Sequence, residues 1–160
     1  MRIFAFLLVS FLMVFPALSS EKTELSFLDA ANRPVSLQNF SGKIVILNIW
    51  ASWCPPCVQE MPDLIALQKT YAAQGLQLIA LSEDIAGFPT ITPFLEKNNW
   101  QDLPVYWDKG GINMRHLGAS GLPTSYIFNR AGKLLEKIEG NPQWTSTKMV
   151  AKIEKYLEQK

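Results

Sequence analysis

Two cysteines, Cys54 and Cys57, are the only thiols in the 160-residue chain. They stand three apart in the run Trp53-Cys54-Pro55-Pro56-Cys57, directly after an apolar, β-branched stretch over residues 44–49. A C-x-x-C pair where a strand hands over to a helix can close into a disulfide and reopen, so the chemistry implied is reversible thiol–disulfide exchange. The alternative is a structural staple, common in oxidising compartments. A staple stabilises most when it closes a long loop, and this one closes a very short loop. Redox chemistry explains the pair better.

Each residue of the motif has a physical role at that spacing. Cys54 is expected at the N-cap of a helix, with Pro55 at the first helical position, where a missing N–H is harmless. Free N–H groups and the positive end of the helix dipole then stabilise a Cys54 thiolate, the attacking nucleophile. Cys57, one turn deeper, is the resolving thiol. Pro55 and Pro56 remove two donors, leaving the Cys57 N–H as the remaining candidate for the Cys54 sulfur. The thiol pKa is therefore expected to fall only moderately. Weak thiolate stabilisation favours the disulfide form of the protein, which makes the pair a reducing one. Glu60 lies at i+3 from Cys57 on the same helix; a partly buried carboxyl there would have a raised pKa and could shuttle the Cys57 proton. The competing reading is a solvated surface glutamate. Pro62 should kink that helix.

The elements that must position these residues follow from periodicity. Residues 25–28 and 34–37 flank a polar turn and suggest a small hairpin. Residues 44–49 read as a strand covered on both faces, and 76–81 as a second. Val58, Met61, Leu64, Ile65 and Tyr71 recur at helical spacing, with Gly75 as the stop. Thr92 and Pro93 look like an N-cap and first helical position, opening a helix to about Asn98. A short strand over 105–107 and a short helix over 112–117 follow. Residues 125–129 and 133–139 form a hairpin around Arg130 to Gly132, and Trp144, Met149, Ile153 and Leu157 mark a closing amphipathic helix. Strands alternating with helices, then a hairpin and a helix, imply an α/β sheet with helices on both faces. The order is that of the thioredoxin fold, with an N-terminal β-hairpin and an inserted helix–strand segment between Ser82 and Leu117.

The first residues read differently. One basic residue, an apolar run over 3–15 and small residues after Pro16 resemble a secretory signal over residues 1–19, with an uncleaved membrane anchor as the alternative. The expected domain is then 22–160, exported to a periplasm or the outer face of a membrane. Fifteen basic residues against fourteen acidic ones give a net charge of +1, with no nucleic-acid footprint. Nothing supplies a dimerisation segment, so a monomer is expected.

The stretch from Leu47 to Cys57, then Glu60-Met61-Pro62, then Gly121-Leu122-Pro123-Thr124 and Asn129 to Gly132, resembles the TlpA/ResA-type thiol–disulfide reductases of the thioredoxin superfamily. The resemblance runs from about Leu25 to the C-terminus. It implies a cis Pro123 packed against the disulfide, and a Leu122 backbone that pairs with an extended substrate. It implies that Glu60 is the active-site acid; where thioredoxins proper carry a buried aspartate this chain has Asn48, which moves the proton-shuttling role to Glu60. Trp53, Pro55, Pro56, Leu122 and Thr124 are the implied substrate-facing residues. It further implies disulfide-bearing client proteins, a membrane thiol-electron donor and no cofactor or metal. Some such reductases serve cytochrome c maturation.

Three other functions compete: a disulfide oxidase or isomerase, a soft-metal chaperone using the cysteine pair, and a peroxidase. No methionine flanks the motif as a thioether ligand, and an isomerase would be expected to dimerise. His116, the lone histidine, reads as a surface residue. Glu83 and Asp84 read as a solvated loop, and residues 85–88 with Pro89 as loop packing.

Overall fold

The computed structural model describes residues 24–159; the expected signal over 1–19 lies outside them. The fold is built on one stretch with no exposed position. Every residue of β3 (Ile44–Trp50) is buried, because the strand lies between two others and under layers on both faces. It pairs in parallel with β4 (Leu76–Ser82) and antiparallel with β6 (Thr124–Phe128). Outside these run β5 (Val105–Trp107), parallel to β4, and β7 (Leu134–Glu139), antiparallel to β6. The hairpin of β1 (Ser26–Leu28) and β2 (Pro34–Ser36) joins through Leu28 opposite Trp107, completing the order β2-β1-β5-β4-β3-β6-β7.

Alternation along β3 divides the core in two. Ile44, Ile46 and Trp50 pack with α1 (Pro55–Tyr71), α2 (Phe88–Lys97) and α4 (Thr147–Leu157). Val45, Leu47 and Ile49 face the other side, beneath the N-terminal hairpin, Leu37, and Met114 of α3 (Ile112–His116). This is the thioredoxin fold with the N-terminal hairpin and the inserted α2–β5 segment. Helix α1 runs on through Pro62. Gly75 ends the turn after it at φ +97°, a conformation that suits glycine, and β4 begins at the next residue. At the end of the sheet remote from the cysteines, the Arg130 guanidinium donates to the carbonyls of Gly42, Leu157 and Gln159 at 2.6, 2.9 and 3.1 Å. Among the described residues no helix is long and apolar enough to cross a membrane.

Two sequence expectations fail. Helix α2 opens at Phe88, four residues before Thr92, with Pro89 in its first turn and Pro93 inside it. Two prolines spaced by four both fit a helix start, and burial of Ile91 in the core selects the earlier one. Trp144 is not part of the closing helix, which starts at Thr147 after the N-cap Ser146; the indole is used elsewhere, as described below.

The loop before α2 turns tightly. The Gly87 N–H donates to the Asp84 carbonyl at 2.9 Å, and Gly87 has φ +66°. A Cβ there would lie 2.7 Å from the Trp107 ring. Gly87→Ala should therefore lose about 1–3 kcal/mol of stability, from the positive φ and the clash together, read as a lower urea midpoint at unchanged slope.

Candidate active site

The chain leaves β3 at Trp50 and turns at once into α1. The Cys54 N–H donates to the Ala51 carbonyl at 3.1 Å, and Cys54 takes the extended conformation of an N-cap. Its Sγ accepts the Cys57 N–H at 3.3 Å, the donor left once Pro55 and Pro56 fill the first helical positions. Cys54 and Cys57 are joined by a disulfide, with Cα atoms 5.3 Å apart. Cys54 keeps 5% of its surface exposed and Cys57 none. The outer sulfur is thus the one a second molecule reaches. Trp53 beside it is 64% exposed, and Pro55 and Pro56 are exposed too.

Glu60 is fully buried beneath this pair, not a surface residue. Its Oε1 accepts from Asn48 Nδ2 at 2.7 Å and its Oε2 from Trp144 Nε1 at 2.9 Å. Asn48 Nδ2 also donates to Ser125 Oγ at 2.9 Å, tying β3 to β6, while Asn48 Oδ1 is buried without a partner. Loss of water around the carboxylate raises the Glu60 pKa to about 7; the Trp144 and Asn48 donors pull it back, and the Asp63 charge adds to the rise.

The Leu122–Pro123 peptide bond is cis. The antiparallel register sets Thr124 opposite Ile49, so the Gly121 to Pro123 loop lies at the same end of the sheet as the cysteines. Thr124 is buried and donates its hydroxyl to the Gly121 carbonyl at 2.7 Å, while Leu122 stays half-buried. The structure therefore collects Trp53, Cys54, Cys57 and Leu122 to Thr124 at one edge, with Glu60 underneath.

Asp84 corrects the expectation of a solvated loop. It is buried, and its carboxylate accepts from Ser52 N at 3.1 Å, Ser52 Oγ at 2.6 Å and Ser82 Oγ at 2.7 Å. Its carbonyl accepts from Trp107 Nε1 at 2.9 Å. Asp84 thus anchors the residue two before Cys54 to the end of β4. Glu83 is half-buried, and burial together with the neighbouring Asp108 raises its pKa to about 8. Ile85 packs against nothing: it is 94% exposed, while Phe88 starts α2. His116 is exposed at the end of α3, and among the described residues no three His, Cys, Asp or Glu side chains could jointly hold a metal ion.

Sequence reasoning missed Trp144, Ser125 and Asp84 as parts of the site. Trp144 left one signal: it stands five residues before Met149, off the helical spacing of the residues that follow.

This site on this fold has relatives. The sequence profile of the AhpC/TSA family matches residues 17–137. The thiol–disulfide oxidoreductase ResA of Bacillus thuringiensis subsp. konkukian is 35% identical over 112 residues. That match covers 70% of this chain and 64% of the relative, so the chain spans less than two thirds of that relative's length. ResA of Geobacillus thermodenitrificans is 30% identical over 126 residues, covering 78% and 70%. A Chlorobium tepidum structure, provisionally assigned as the thiol:disulfide interchange protein DsbE, superposes with a TM-score of 0.74 at 29% identity, covering 85% of this chain and 94% of that one. The chain belongs to the AhpC/TSA family, in the TlpA/ResA-type branch of the thioredoxin superfamily.

Burial of Glu60 gives stability a definite pH slope. The carboxyl holds its proton to about 7 in the folded protein and to about 4.5 once unfolded. Between those values the folded state binds more protons, so this group's contribution falls as pH rises. Relative to Glu60→Gln, the oxidised wild-type protein should lose up to about 3 kcal/mol between pH 4.5 and 7.5, measured by urea unfolding at each pH.

Proposed function

We propose that the protein is an exported thiol–disulfide oxidoreductase that reduces disulfides in other proteins. The observation that carries the reading is the graded burial of the pair: an N-cap sulfur with some exposure, its partner sealed below, and a carboxyl of pKa about 7 beneath both. In the dithiol state, the Cys54 thiolate attacks a client disulfide sulfur, forming a mixed disulfide and releasing one client thiolate. Glu60 takes the Cys57 proton, and the Cys57 thiolate attacks Cys54 Sγ. The second client thiolate leaves and takes up a proton, and the Cys54–Cys57 disulfide is restored. Two electrons have passed to the client, and a second dithiol must return them; a membrane thiol-electron donor is the partner proposed for that step.

Trp53, Pro55, Pro56 and the Leu122 to Thr124 segment are the proposed client-facing residues, with Leu122 offering its backbone to an extended chain. Residues 1–19 are the proposed export signal and 22–160 the working domain, acting as a monomer. Clients of this kind include apocytochromes c, whose haem-attachment cysteines must be reduced. The resemblance to the ResA proteins supports the chemistry, and the single N–H on the Cys54 sulfur supports the reducing direction.

The reduction potential of the Cys54–Cys57 pair at pH 7, read through tryptophan fluorescence in thiol buffers, tests that direction. A value near ~−270 mV is expected; one near ~−120 mV would make the protein a disulfide-forming enzyme instead. Cys57→Ser should trap the client as a mixed disulfide on Cys54, visible on a non-reducing gel. Glu60→Gln should slow resolution of the mixed disulfide by about 10²-fold near neutral pH while leaving formation within a few-fold.

A further inference from the structure

Trp144 lies beyond residues 17–137, the part of the chain that matches the family profile, yet its indole reaches the centre of the site. It comes from the segment between β7 and α4, is fully buried, and packs in the same cluster as Trp50, Met61 and both cysteines. A core tryptophan needs a partner for its N–H, and many acceptors would do. Here the partner is a carboxylate oxygen 84 residues away in sequence. An indole N–H only donates, whereas an amide has both a donor and an acceptor end. The two groups that hold Glu60 are therefore not equivalent. Trp144 can only donate to Oε2. Asn48 donates to Oε1 with its nitrogen and keeps a buried, unpartnered Oδ1; with its amide turned over, that oxygen would accept an acid O–H.

We propose that Trp144 is a positioning residue for the Glu60 carboxyl: it holds Oε2 as a permanent acceptor and leaves Oε1, on the Asn48 side, to take and release the proton. This rests on Glu60 being the proton carrier of the thiol chemistry. The groups around the carboxyl are Cys57 and Asp63 on its own helix, Asn48 on β3 with Ser125 of β6 behind it, and Trp144 from the segment before α4. Asp63 is the charge among the described residues that acts on it.

Consequences are readable in the oxidised protein, where no thiol titrates. The Trp144 indole N–H resonance and the Glu60 carboxyl carbon should move with one shared midpoint across pH 5 to 9. An indole signal that stays flat while the carbon titrates overturns the proposal. Trp144→Phe removes a donor to the ionised form, so the Glu60 midpoint should rise by about one pH unit or more; an unmoved midpoint also overturns it. In the protonated state, the acid C=O stretch, isolated as wild type minus Glu60→Gln, should lie lower than in Trp144→Phe. Equal bands would place the proton on the wrong oxygen. Should Trp144→Phe not fold, the wild-type resonances decide alone. In the reduced protein the same variant should shift the pH profile of mixed-disulfide resolution by the same amount, and Glu60→Gln should abolish that limb. If Glu60→Gln leaves the profile unchanged, the proton-carrier role fails, while the coupling of Trp144 to Glu60 is still judged by the resonances.

Discussion

The burial of β3 on both faces is the constraint from which the site follows. A strand hydrogen-bonded to neighbours on either side and covered above and below has one register available, because a slip of one residue would exchange its two faces. That register fixes where the chain emerges at Trp50 and therefore where α1 begins, with Cys54 at its cap. It also places Asn48 across from Ser125 and Thr124 across from Ile49, which brings the Leu122–Pro123 loop to the same edge. The nucleophile, the carboxyl's amide partner and the cis-proline loop are thus positioned by a single strand rather than by separate devices.

Within that frame the site is organised by unequal access to water. The Cys54 sulfur is shielded but reachable, Cys57 is sealed, and Glu60 has exchanged its hydration for two N–H donors. Two donors do not replace the full hydration of a carboxylate, so the charge remains disfavoured and the proton is held to near neutrality. The same burial that destabilises the folded protein as pH rises is what suits the group for exchanging a proton with a thiol. Asp84 works in the opposite sense: several donors converge on it, and it spends its acceptor capacity fixing the loop that carries Ser52 and Trp53 toward Cys54.

Much of this was legible because it is written locally. The β-branched run 44–49, the C-x-x-C pair with its prolines, Gly75 as a stop and the turn at Arg130 to Gly132 each depend on near neighbours, and the alternation of elements determined the architecture. The spacing from Cys57 to Glu60 was visible for the same reason. What escaped was either ambiguous locally or carried by distance. Pro89 and Pro93 offer equal helix starts until the burial of Ile91 separates them. Trp144 meets Glu60 across 84 residues, and Asp84 meets Ser52 across 32; no periodicity encodes such pairings. Adjacent acids at a strand end look solvated unless the serines that will donate to them are known to be nearby.

The sheet's outermost strands bear on a different matter. On one side β2 is only three residues long and starts with proline. On the other, β7 carries Glu136, Lys137 and Glu139, with Lys137 paired to Glu139 and Glu136 to Lys152. Short length, proline and charge each discourage a foreign strand from docking and extending a sheet. A protein that, on our proposal, handles incompletely folded, cysteine-bearing chains meets the molecules most prone to such growth. Its margins give them no template, so the encounter is confined to the sulfur and ends in release rather than in a fibre.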